Sequence, residues 1–475
     1  MDRAASIRLL ERPLAGPPEA ARGIEFPLSG PLSVRPPRGR RHEGAAGPLN
    51  SPSQRTSAHW EIQGGIPLEG VVRAGGSKNA TLPMMAASIL AQGPLRLEGA
   101  PWLDDVATMA RLLGELGVSV RATACGALDL EAVDRGAVEA GGQWVRRMRA
   151  SFCVLGPLLA SRRRAIVPLP GGCNIGPRPV DLHLKGLAAL GAQLRIEQGR
   201  VVARAERLTG ATVNLWGPRG PTVTGTANVL SAAVLARGVT VIRGAASEPE
   251  VVDLGRLLVK MGARIEGLGT RTLRVTGVPA LVGAAHRVIP DRIEAATLLL
   301  AAAITRGSVT VNDARPEHLE VVIRALRQAG FEVETAARQV GLRATRRPHA
   351  LRLVAKPYPG LPSDLQAQWM ALLSLARGRS RVQDRVFPAR LMHVDQLRRL
   401  GARITLDGQA AVIRGVTALS GATVTASDLR ASAALVLAGL AASGTTVVEG
   451  IGHLDRGYEN LDRKLRRLGA RLSPG

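Results

Sequence analysis

Residues 397–404 read LRRLGARI, and residues 465–472 read LRRLGARL, so the two segments are near copies of each other. In each copy the end of an amphipathic helix is followed by a glycine and then by the start of an apolar strand. Glycine directly after the last helical turn is a common C-cap, because it adopts a positive φ without strain. The two copies therefore predict a repeated helix–glycine–strand unit.

Four further segments end in the same way: LLGELGVSV, LAALGAQL, LLVKMGARI and LRQAGFEV. Each unit also contains an Ala- and Leu-rich helix such as AASILAQG and a β-branched strand such as VTVIRG. The repeated glycines stand 68 to 74 residues apart, at Gly117, Gly191, Gly262, Gly330, Gly401 and Gly469. This period exceeds the roughly 20–50 residues of solenoid repeats. The pattern predicts an α/β fold built from six modules.

The composition favours an anionic partner. The chain has 475 residues, with 63 Lys and Arg against 38 Asp and Glu, which gives a net charge of +25. Arginine suits bidentate contact with phosphate and carboxylate, so both nucleic acid and small polyanionic ligands are candidates. Aromatic residues make up only 2% of the chain, which counts against proteins that stack single-stranded bases.

Residues 1–56 differ from the rest of the chain. They are rich in Pro, Gly, Arg and Ser and lack periodic apolar residues, so we expect a disordered basic tail. A wrongly assigned start codon and a polyanion-binding arm are the two explanations, and the shortness of the RPPRGRR cluster favours the first.

Targeting and metal signals are weak. The three cysteines, Cys125, Cys153 and Cys173, form no CxxC pair, which fits a reducing compartment. No secretory segment follows Met1, and the longest apolar run, residues 431–442, is too short to span a bilayer. We therefore expect a soluble cytoplasmic protein. No ligand spacing for a metal and no P-loop motif is present, so we expect neither a metal nor a cofactor.

Charged side chains recur where the first helix of several units begins. A cation at a helix N-terminus opposes the helix dipole unless an anion lies beside it. Several such ends directed at one cleft would form an anion site, with Lys78, Arg149 and Arg430 as its cations. Simple capping is the alternative for the polar residues at these starts, which are Ser77, Asp291, Ser363 and Asp428.

Cys173 lies in the loop PGGCNIGPRPVDLH, residues 170–183. Its thiol could be a buried filler, a metal ligand or a reactive group, and filler is the commonest role of a lone cysteine. Arg178 lies close by and would favour the thiolate. Cys125 and Cys153 are interpreted as fillers.

Nine motifs in order give the chain a family resemblance. They are IQGGIPLEGVVRAGGSKNATLP, MRASF, PGGCNIGPRPVDLH, EPEVVDL, IPDRIE, LPSDLQAQ, VFPARLMHV, DLRASAALVLAG and HLDRGYE. From about residue 60 to its C-terminus the chain resembles the enolpyruvyl transferases, specifically those that act on UDP-N-acetylglucosamine. The shikimate-pathway members share the sixfold architecture but lack the GGC-x-IG-x-RPVDLH loop.

The resemblance implies two domains of three units each, built as inside-out α/β barrels with the active site in the cleft between them. Residues 78–289 would form one contiguous domain. Residues 57–77 and 290–475 would together form the other.

The resemblance also implies the reaction. The enolpyruvyl group of phosphoenolpyruvate would pass to the 3′-hydroxyl of UDP-N-acetylglucosamine, with release of phosphate, by addition and elimination through a tetrahedral ketal. This reaction begins peptidoglycan precursor synthesis and needs no metal or organic cofactor. The family is also the target of fosfomycin.

Site residues follow from the matched motifs. The resemblance implies that Cys173 is the general acid and forms an adduct with phosphoenolpyruvate, and that Asp364 takes the proton of the sugar hydroxyl. The cations implied to hold phosphoenolpyruvate and the ketal are Lys78, Arg178 and Arg456, with Arg149 and Arg430 lining the same site. Asn79 matches a residue bound to substrate and intermediate.

Phe387 matches a ring near the uracil and sugar. His183 and Asp181, in VDLH, are interpreted as loop-to-helix support, and Glu248 and Glu250 as structural.

Two departures from the family pattern concern the nucleotide. Residues 222–226 read TVTGT, where the family usually has Ser-Val-Gly-Ala-Thr; if that glycine supplied a positive φ, the turn must rebuild. Pro388 follows Phe387 where the family commonly has Glu or another polar residue, and proline lacks a backbone donor.

These departures leave open a paralogue that uses another nucleotide sugar. An inactive basic nucleic-acid-binding module is a further alternative, although the intact set of site residues argues against it. We expect the substrates as partners, no membrane or nucleic acid, and a monomer in preference to an oligomer.

Overall fold

The secondary structure of the chain follows its sixfold repeat in a computed structural model that describes residues 59–123, 126–171 and 179–475. The α-helices of the described residues are α1 Lys78–Ala87, α2 Asp104–Glu115, α3 Gly142–Arg147, α4 Leu155–Arg162, α5 Asp181–Ala189, α6 Val223–Ala233, α7 Pro249–Lys260, α8 Arg292–Thr305, α9 Pro316–Gln328, α10 Gln366–Leu373, α11 His393–Arg399, α12 Leu429–Ala441 and α13 Leu461–Arg467.

The strands are short. They are β1 His59–Gln63, β2 Glu69–Arg73, β3 Ala91–Gln92, β4 Leu95–Glu98, β5 Val118–Ala122, β6 Ala127–Ala132, β7 Arg164–Pro168, β8 Gln193–Glu197, β9 Arg200–Arg204, β10 Thr212–Asn214, β11 Trp216–Gly217, β12 Gly220–Pro221, β13 Val239–Arg243, β14 Arg264–Glu266, β15 Thr272–Thr276, β16 Leu281–Val282, β17 Ala285–Arg287, β18 Ser308–Asn312, β19 Glu332–Ala336, β20 Gln339–Arg343, β21 Arg352–Ala355, β22 Arg379–Asp384, β23 Arg403–Asp407, β24 Ala410–Arg414, β25 Leu419–Ser420, β26 Thr423–Thr425, β27 Ala442–Ser443, β28 Thr445–Glu449 and β29 Arg471–Pro474.

The repeated glycine ends the second helix of every unit, as the sequence predicted. Each of the six glycines has a positive φ, between 73° and 106°, and lies two residues beyond the end of α2, α5, α7, α9, α11 or α13. At the end of α9, for example, the Gly330 amide donates to the Arg327 carbonyl. A side chain at these positions would strain the left-handed turn that sends the chain into the next strand.

The five four-stranded sheets of the described residues share one topology, and the three-stranded sheet β7-β9-β8 lacks its parallel edge strand. In the fifth unit β21 runs parallel to β22, β22 pairs antiparallel with β24, and β24 pairs antiparallel with β23. The strand orders of the six sheets are β17-β4-β6-β5, β7-β9-β8, β10-β13-β15-β14, β19-β20-β18-β2, β21-β22-β24-β23 and β26-β28-β1-β29.

Helices occupy the interior and sheets the outside, which confirms the predicted inside-out α/β arrangement. The first helices of the last three units, α8, α10 and α12, pack against one another, and almost all of their residues are buried. Their Ala- and Leu-rich sequences are apolar on every side, which is the pattern of a helix surrounded by protein. The sheets keep one face exposed.

Two hydrophobic cores divide the described residues. One contains buried side chains between Ala80 and Ile289, and the other combines Trp60 to Ala74 with Ile293 to Leu472. We call residues 78–289 the first lobe, and residues 59–77 with 290–475 the second lobe. The two chain crossings between the lobes lie side by side, because Ser77 N donates to Ile289 O at 2.8 Å. Among the described residues, no helix is long and apolar enough to cross a membrane.

Candidate active site

Lys78, Asp105 and Arg456 form an ion cluster at the junction of the two lobes. Lys78 Nζ donates to Asp105 Oδ2 at 3.0 Å, and Arg456 Nε donates to Asp105 Oδ1 at 3.0 Å. Lys78 begins α1 and Asp105 lies in the first turn of α2, both in the first lobe, while Arg456 ends the short 3-10 helix Ile451–Arg456 of the second lobe. One carboxylate thus links cations of both lobes.

The charge of this cluster is stable near neutral pH. Burial alone would raise the pKa of Asp105, but Lys78 and then Arg456 outweigh it and hold that pKa below its usual value. Asp105 stays ionised, and the cluster carries one net positive charge. Two cations that share a single carboxylate leave an excess of positive charge, which is suited to an anionic ligand.

Asp364 lies between two buried arginines. Arg390 Nη1 donates to Asp364 Oδ1 at 2.9 Å, and Arg430 Nη2 donates to Asp364 Oδ2 at 3.0 Å. The side chains of Arg390 and Arg430 are only 6% and 3% exposed, whereas that of Asp364 is 31% exposed. Two buried guanidinium groups therefore hold the carboxylate in place, one at each oxygen, and the side chain is still partly exposed to solvent.

The electrostatics of Asp364 limit what it can do. Burial works to raise its pKa, but Arg430 and Arg390, with Lys78 farther away, lower it well below the usual value. The carboxylate is ionised and able to accept a proton throughout the neutral range. It is a weak base, so it removes a proton only from a group that becomes acidic during reaction.

Arg430 connects this carboxylate to the helix start. Its guanidinium lies over the Tyr458 ring, with its central carbon 5.2 Å from the ring centroid. Burial lowers the pKa of Arg430, but Asp364 and then Tyr458 outweigh that and raise it. Arg430 is thus a permanent cation near the N-terminus of α12, held there by Asp364.

Three of the four candidate caps are observed. Ser77 caps α1, Asp291 accepts from Ile293 N and Glu294 N at the start of α8, and Asp428 accepts from Arg430 N and Ala431 N at the start of α12. Capping is wrong for Ser363. Its hydroxyl donates to Asp384 instead, and Pro362 precedes the 3-10 turn Ser363–Leu365. The buried Asp384 carboxylate competes successfully for that hydroxyl.

The clusters lie close together. The Lys78 backbone N–H donates to Asp291 Oδ2 at 3.3 Å, and the Arg430 charge also acts on the pKa of Asp291, which burial raises. Arg456 Nη2 donates to the Arg147 carbonyl at 3.3 Å, two residues before Arg149. Both lobes therefore contribute cations to one region.

Arg149 and Asn79 are on the first-lobe side. Arg149 begins the 3-10 helix Arg149–Val154, and its Nη2 donates to the Pro179 carbonyl at 2.8 Å, at the edge of the cysteine loop. Asn79 is the second residue of α1 and is half-buried next to Lys78. The structure thus brings these two residues toward the ion cluster.

Phe387 follows strand β22 on the second lobe. Its backbone N–H donates to Asp384 Oδ1 at 2.8 Å, and its side chain is half-buried. Asp384 also accepts the Ser363 hydroxyl, so a single carboxylate ties the Phe387 turn to the Asp364 turn. Pro388 lies inside this turn, which the Arg390 amide closes by donating to the Phe387 carbonyl at 3.0 Å.

Two predicted site residues, Cys173 and Arg178, lie outside the described residues, as does Cys125. Cys153 is described and is buried. Burial raises the pKa of its thiol to about 12, against a smaller opposite effect of Arg149. A thiol that stays protonated is a poor nucleophile, so Cys153 behaves as a core residue.

His183 supports the TVTGT turn through a defined network. The Asn228 amide is oriented by donating to Phe152 O at 2.8 Å and accepting from Gly156 N at 2.6 Å. The same amide nitrogen, Nδ2, therefore donates to His183 Nδ1 at 3.0 Å. The other ring nitrogen, Nε2, carries the proton and donates to Thr224 Oγ1 at 3.2 Å.

The glycine of this turn, Gly225, lies one position after the glycine of the family pattern. Gly225 has no positive φ and lies inside α6, where Thr222 caps the helix by accepting from Gly225 N. A Cβ on Gly225 would come within 2.3 Å of Thr222 Cγ2. The position has no room for a side chain unless Thr222 shifts, and the turn is built without a left-handed residue at Gly225.

We expect the stability of the protein to depend on pH through His183. Burial, and next Arg149, lower its pKa to about 3, whereas the unfolded value is about 6.5. Below pH 6.5 the unfolded chain therefore binds a proton that the folded chain does not, and stability falls as the pH drops. In His183→Gln the slope of unfolding free energy against pH, between pH 4 and 6, should be smaller by up to about 1.4 kcal/mol per pH unit. Urea unfolding at several pH values measures this slope, and an unchanged slope in the variant would contradict the assignment.

Two residues of the site were not predicted from the sequence. No motif marks Asp105 as a site residue, and Arg390 is one residue of the motif VFPARLMHV without an assigned role. Both form ion pairs with residues that are distant in the sequence: Asp105 with Lys78 and Arg456, and Arg390 with Asp364. Among the described residues, no group of three or more His, Cys, Asp or Glu side chains could hold a metal ion.

Comparison with known proteins adds family information. The family model of EPSP synthase (3-phosphoshikimate 1-carboxyvinyltransferase) matches residues 62–465. A UDP-N-acetylglucosamine 1-carboxyvinyltransferase of Akkermansia muciniphila is 50% identical over 412 residues, which cover 86% of this chain and 96% of the relative. A protein of the same name from Geobacter metallireducens is 47% identical over 409 residues, covering 86% of this chain and 97% of the relative.

Solved structures give the same picture of the fold. The enolpyruvyl transferase NikO from Streptomyces tendae superposes with a TM-score of 0.79 at 25% identity, over 87% of this chain and 98% of that one. An EPSP synthase from Acinetobacter baumannii superposes with a TM-score of 0.64 at 19% identity, over 87% of this chain and 99% of that one.

Proposed function

This chain belongs to the EPSP synthase family and, within it, to the UDP-N-acetylglucosamine 1-carboxyvinyltransferases, and from that premise we propose how its residues transfer an enolpyruvyl group. Its substrates are phosphoenolpyruvate and UDP-N-acetylglucosamine, and its products are the 3′-enolpyruvyl ether and phosphate. The reaction supplies a precursor of peptidoglycan.

The chemistry proceeds by addition and elimination. A proton adds to C3 of phosphoenolpyruvate, which makes C2 electrophilic, and the sugar 3′-oxygen bonds to C2 as its hydroxyl proton leaves. The resulting ketal carries both phosphate and carboxylate. The C2–O bond to phosphate then breaks, C3 loses a proton and the enol double bond re-forms.

We assign acceptance of the hydroxyl proton to Asp364. The observation that carries this proposal is its position between Arg390 and Arg430, at 2.9 and 3.0 Å, with part of the carboxylate exposed. Because its pKa is low, Asp364 takes the proton as the C2–O bond forms and the hydroxyl becomes acidic, rather than beforehand.

We assign the anionic groups of phosphoenolpyruvate and the ketal to Lys78 and Arg456, with Arg149 and Arg430 beside them. Lys78 and Arg456 share Asp105, so both are held in place before substrate binds. Charges oriented in advance stabilise a developing anion without further reorganisation. Asn79 and Phe387 would contact the substrate and the nucleotide sugar.

Cys173 and Arg178 receive their roles from their matched motif alone. Cys173 would donate the proton to C3 and form the adduct with phosphoenolpyruvate, and Arg178 would hold its phosphate or carboxylate. We also propose that the two lobes are the two domains of the enzyme, and that the protein acts in the cytoplasm.

One assay tests the function. Purified protein is mixed with phosphoenolpyruvate and one acceptor at a time: UDP-N-acetylglucosamine, UDP-N-acetylgalactosamine, UDP-glucose or shikimate 3-phosphate. Phosphate release should be fastest by far with UDP-N-acetylglucosamine. Preference for another acceptor would overturn the assigned substrate, and no release with any acceptor would overturn the assigned activity.

A substitution tests whether Arg178 binds phosphoenolpyruvate and not the nucleotide sugar. Arg178→Ala should raise KM for phosphoenolpyruvate about tenfold or more and change KM for the nucleotide sugar little, because a charge-assisted hydrogen bond to an anion is lost. Arg195→Ala, an exposed arginine of β8 in the same lobe, is the matched control. Equal losses for both substrates would show that Arg178 has another role.

A further inference from the structure

One sheet carries an unusual charge pattern on its outer face. In the sheet β21-β22-β24-β23, residues such as Val382 and Ile413 point inward and are buried, while their neighbours alternate outward. Five of the outward residues are arginines: Arg352, Arg379, Arg381, Arg403 and Arg414.

The strand register places these arginines side by side. Arg379 of β22 pairs with Arg414 of β24, which pairs with Arg403 of β23, so three arginines form one row across three strands. In the next row Arg352 lies beside Arg381. Neighbouring strands are about 4.8 Å apart and successive outward positions about 7 Å apart, so the guanidinium groups cover a small flat area.

This arrangement opposes folding, since like charges directly opposite on neighbouring strands repel each other. One acidic side chain shares the face: Asp407, which pairs with Arg381 at 2.5 Å. Within the described part of the chain, Arg379, Arg403 and Arg414 are exposed and have no carboxylate within ion-pair distance.

In the first unit of the same chain, a row of outward side chains balances its positive charges with a carboxylate. Its sheet has the row Arg96, Asp129 and Arg121 on β4, β6 and β5, which are the strands that correspond to β22, β24 and β23. There the central Asp129 accepts from Arg96 at 3.1 Å. In the fifth unit Val412 stands at the position of Asp129, and Arg414 stands at the position of the acidic Glu131. A carboxylate therefore fits on this central strand, and the sheet of the fifth unit keeps a repulsion that the fold can avoid.

We propose that this arginine face binds the anionic surface of a lipid bilayer. Arginine forks match phosphate groups, and a flat array across three strands fits a planar layer of headgroups. Of the described side chains on this face none is aromatic, so bases of a single strand have nothing to stack on. The enzyme would thereby lie at the inner membrane surface, which goes beyond its proposed activity and rests on the proposed cytoplasmic location.

Arg414→Asp tests the proposal, because it places a carboxylate between Arg379 and Arg403, as Asp129 lies between Arg96 and Arg121 in the first unit. Co-sedimentation of the full chain is measured with vesicles of equal parts phosphatidylglycerol and phosphatidylcholine, and with phosphatidylcholine alone. The unmodified protein should bind only the anionic vesicles and be released by salt. The variant should bind them at least about tenfold more weakly, since each arginine near an anionic surface contributes severalfold.

Arg243→Asp is the matched control. Arg243 is exposed on β13 between the uncharged Asn214 and Thr272, and the charge change is identical. It should change vesicle binding by less than about twofold. Both variants should keep their turnover in solution, and Arg414→Asp should melt no lower than the unmodified protein because a repulsion is removed.

Three results would overturn the proposal: no binding to anionic vesicles, equal losses in both variants, or a melting temperature of Arg414→Asp below that of the unmodified protein. A fourth is displacement of the protein from vesicles by duplex DNA at equal phosphate concentration, which would assign the face to nucleic acid instead.

Discussion

Replacing Asp364 with asparagine should lower kcat/KM about a thousandfold while phosphoenolpyruvate still binds. Asparagine keeps the shape of the side chain but cannot accept a proton from the sugar hydroxyl, and general base catalysis contributes roughly 10²–10⁴ in rate. Steady-state phosphate release measures kcat/KM, and protection of Cys173 from alkylation by phosphoenolpyruvate reports binding separately.

The substitution also leaves Arg390 and Arg430 without their carboxylate, so a loss of stability has to be separated from a loss of chemistry. Asp364→Glu keeps the negative charge and should melt close to the unmodified protein, yet should still lose most of its activity because the carboxylate moves. Asp395→Asn removes an exposed carboxylate that pairs with Arg398 and should leave both properties unchanged. Near-normal turnover of a folded Asp364→Asn protein would refute the role of Asp364.

Replacing Lys78 with glutamine should lower kcat/KM by about a hundredfold to a thousandfold, the range seen when one donor to a developing anion is removed. Lys78 Nζ is buried at the start of α1, where it is held by Asp105, so its charge is already oriented toward the proposed anion. KM for phosphoenolpyruvate should rise more than KM for the nucleotide sugar.

Removing Lys78 leaves Asp105 with Arg456 as its remaining cation in the cluster, and breaking a buried pair usually destabilises a protein. Lys78→Arg keeps the charge and should preserve the melting temperature, but it should remain impaired because the planar guanidinium cannot replace a compact ammonium group. Lys185→Gln, an exposed lysine of α5, is the matched control. Equal activity of Lys78→Gln and the control would place the anion elsewhere.

Local features of the fold were predictable from the sequence because their causes are local. The positive φ of Gly401 or Gly469 follows from the helix that ends before it, and the caps at Asp291 and Asp428 follow from the next few amides. Ser363 does not cap its helix because its true partner, Asp384, is 21 residues away at the end of β22. Thr222 and Gly225 fit together through a close contact that no residue pattern reveals.

The sixfold α/β repeat, the all-round burial of its first helices and the residue types that the chemistry needs can be read from the residue pattern. Which charges meet depends on the packing of the folded chain. Asp105 and Arg456 are 351 residues apart, and Asp364 is 66 residues from Arg430. Hydrophobic periodicity and turn residues act over a few positions, whereas an ion pair depends on how two separate cores pack at their junction.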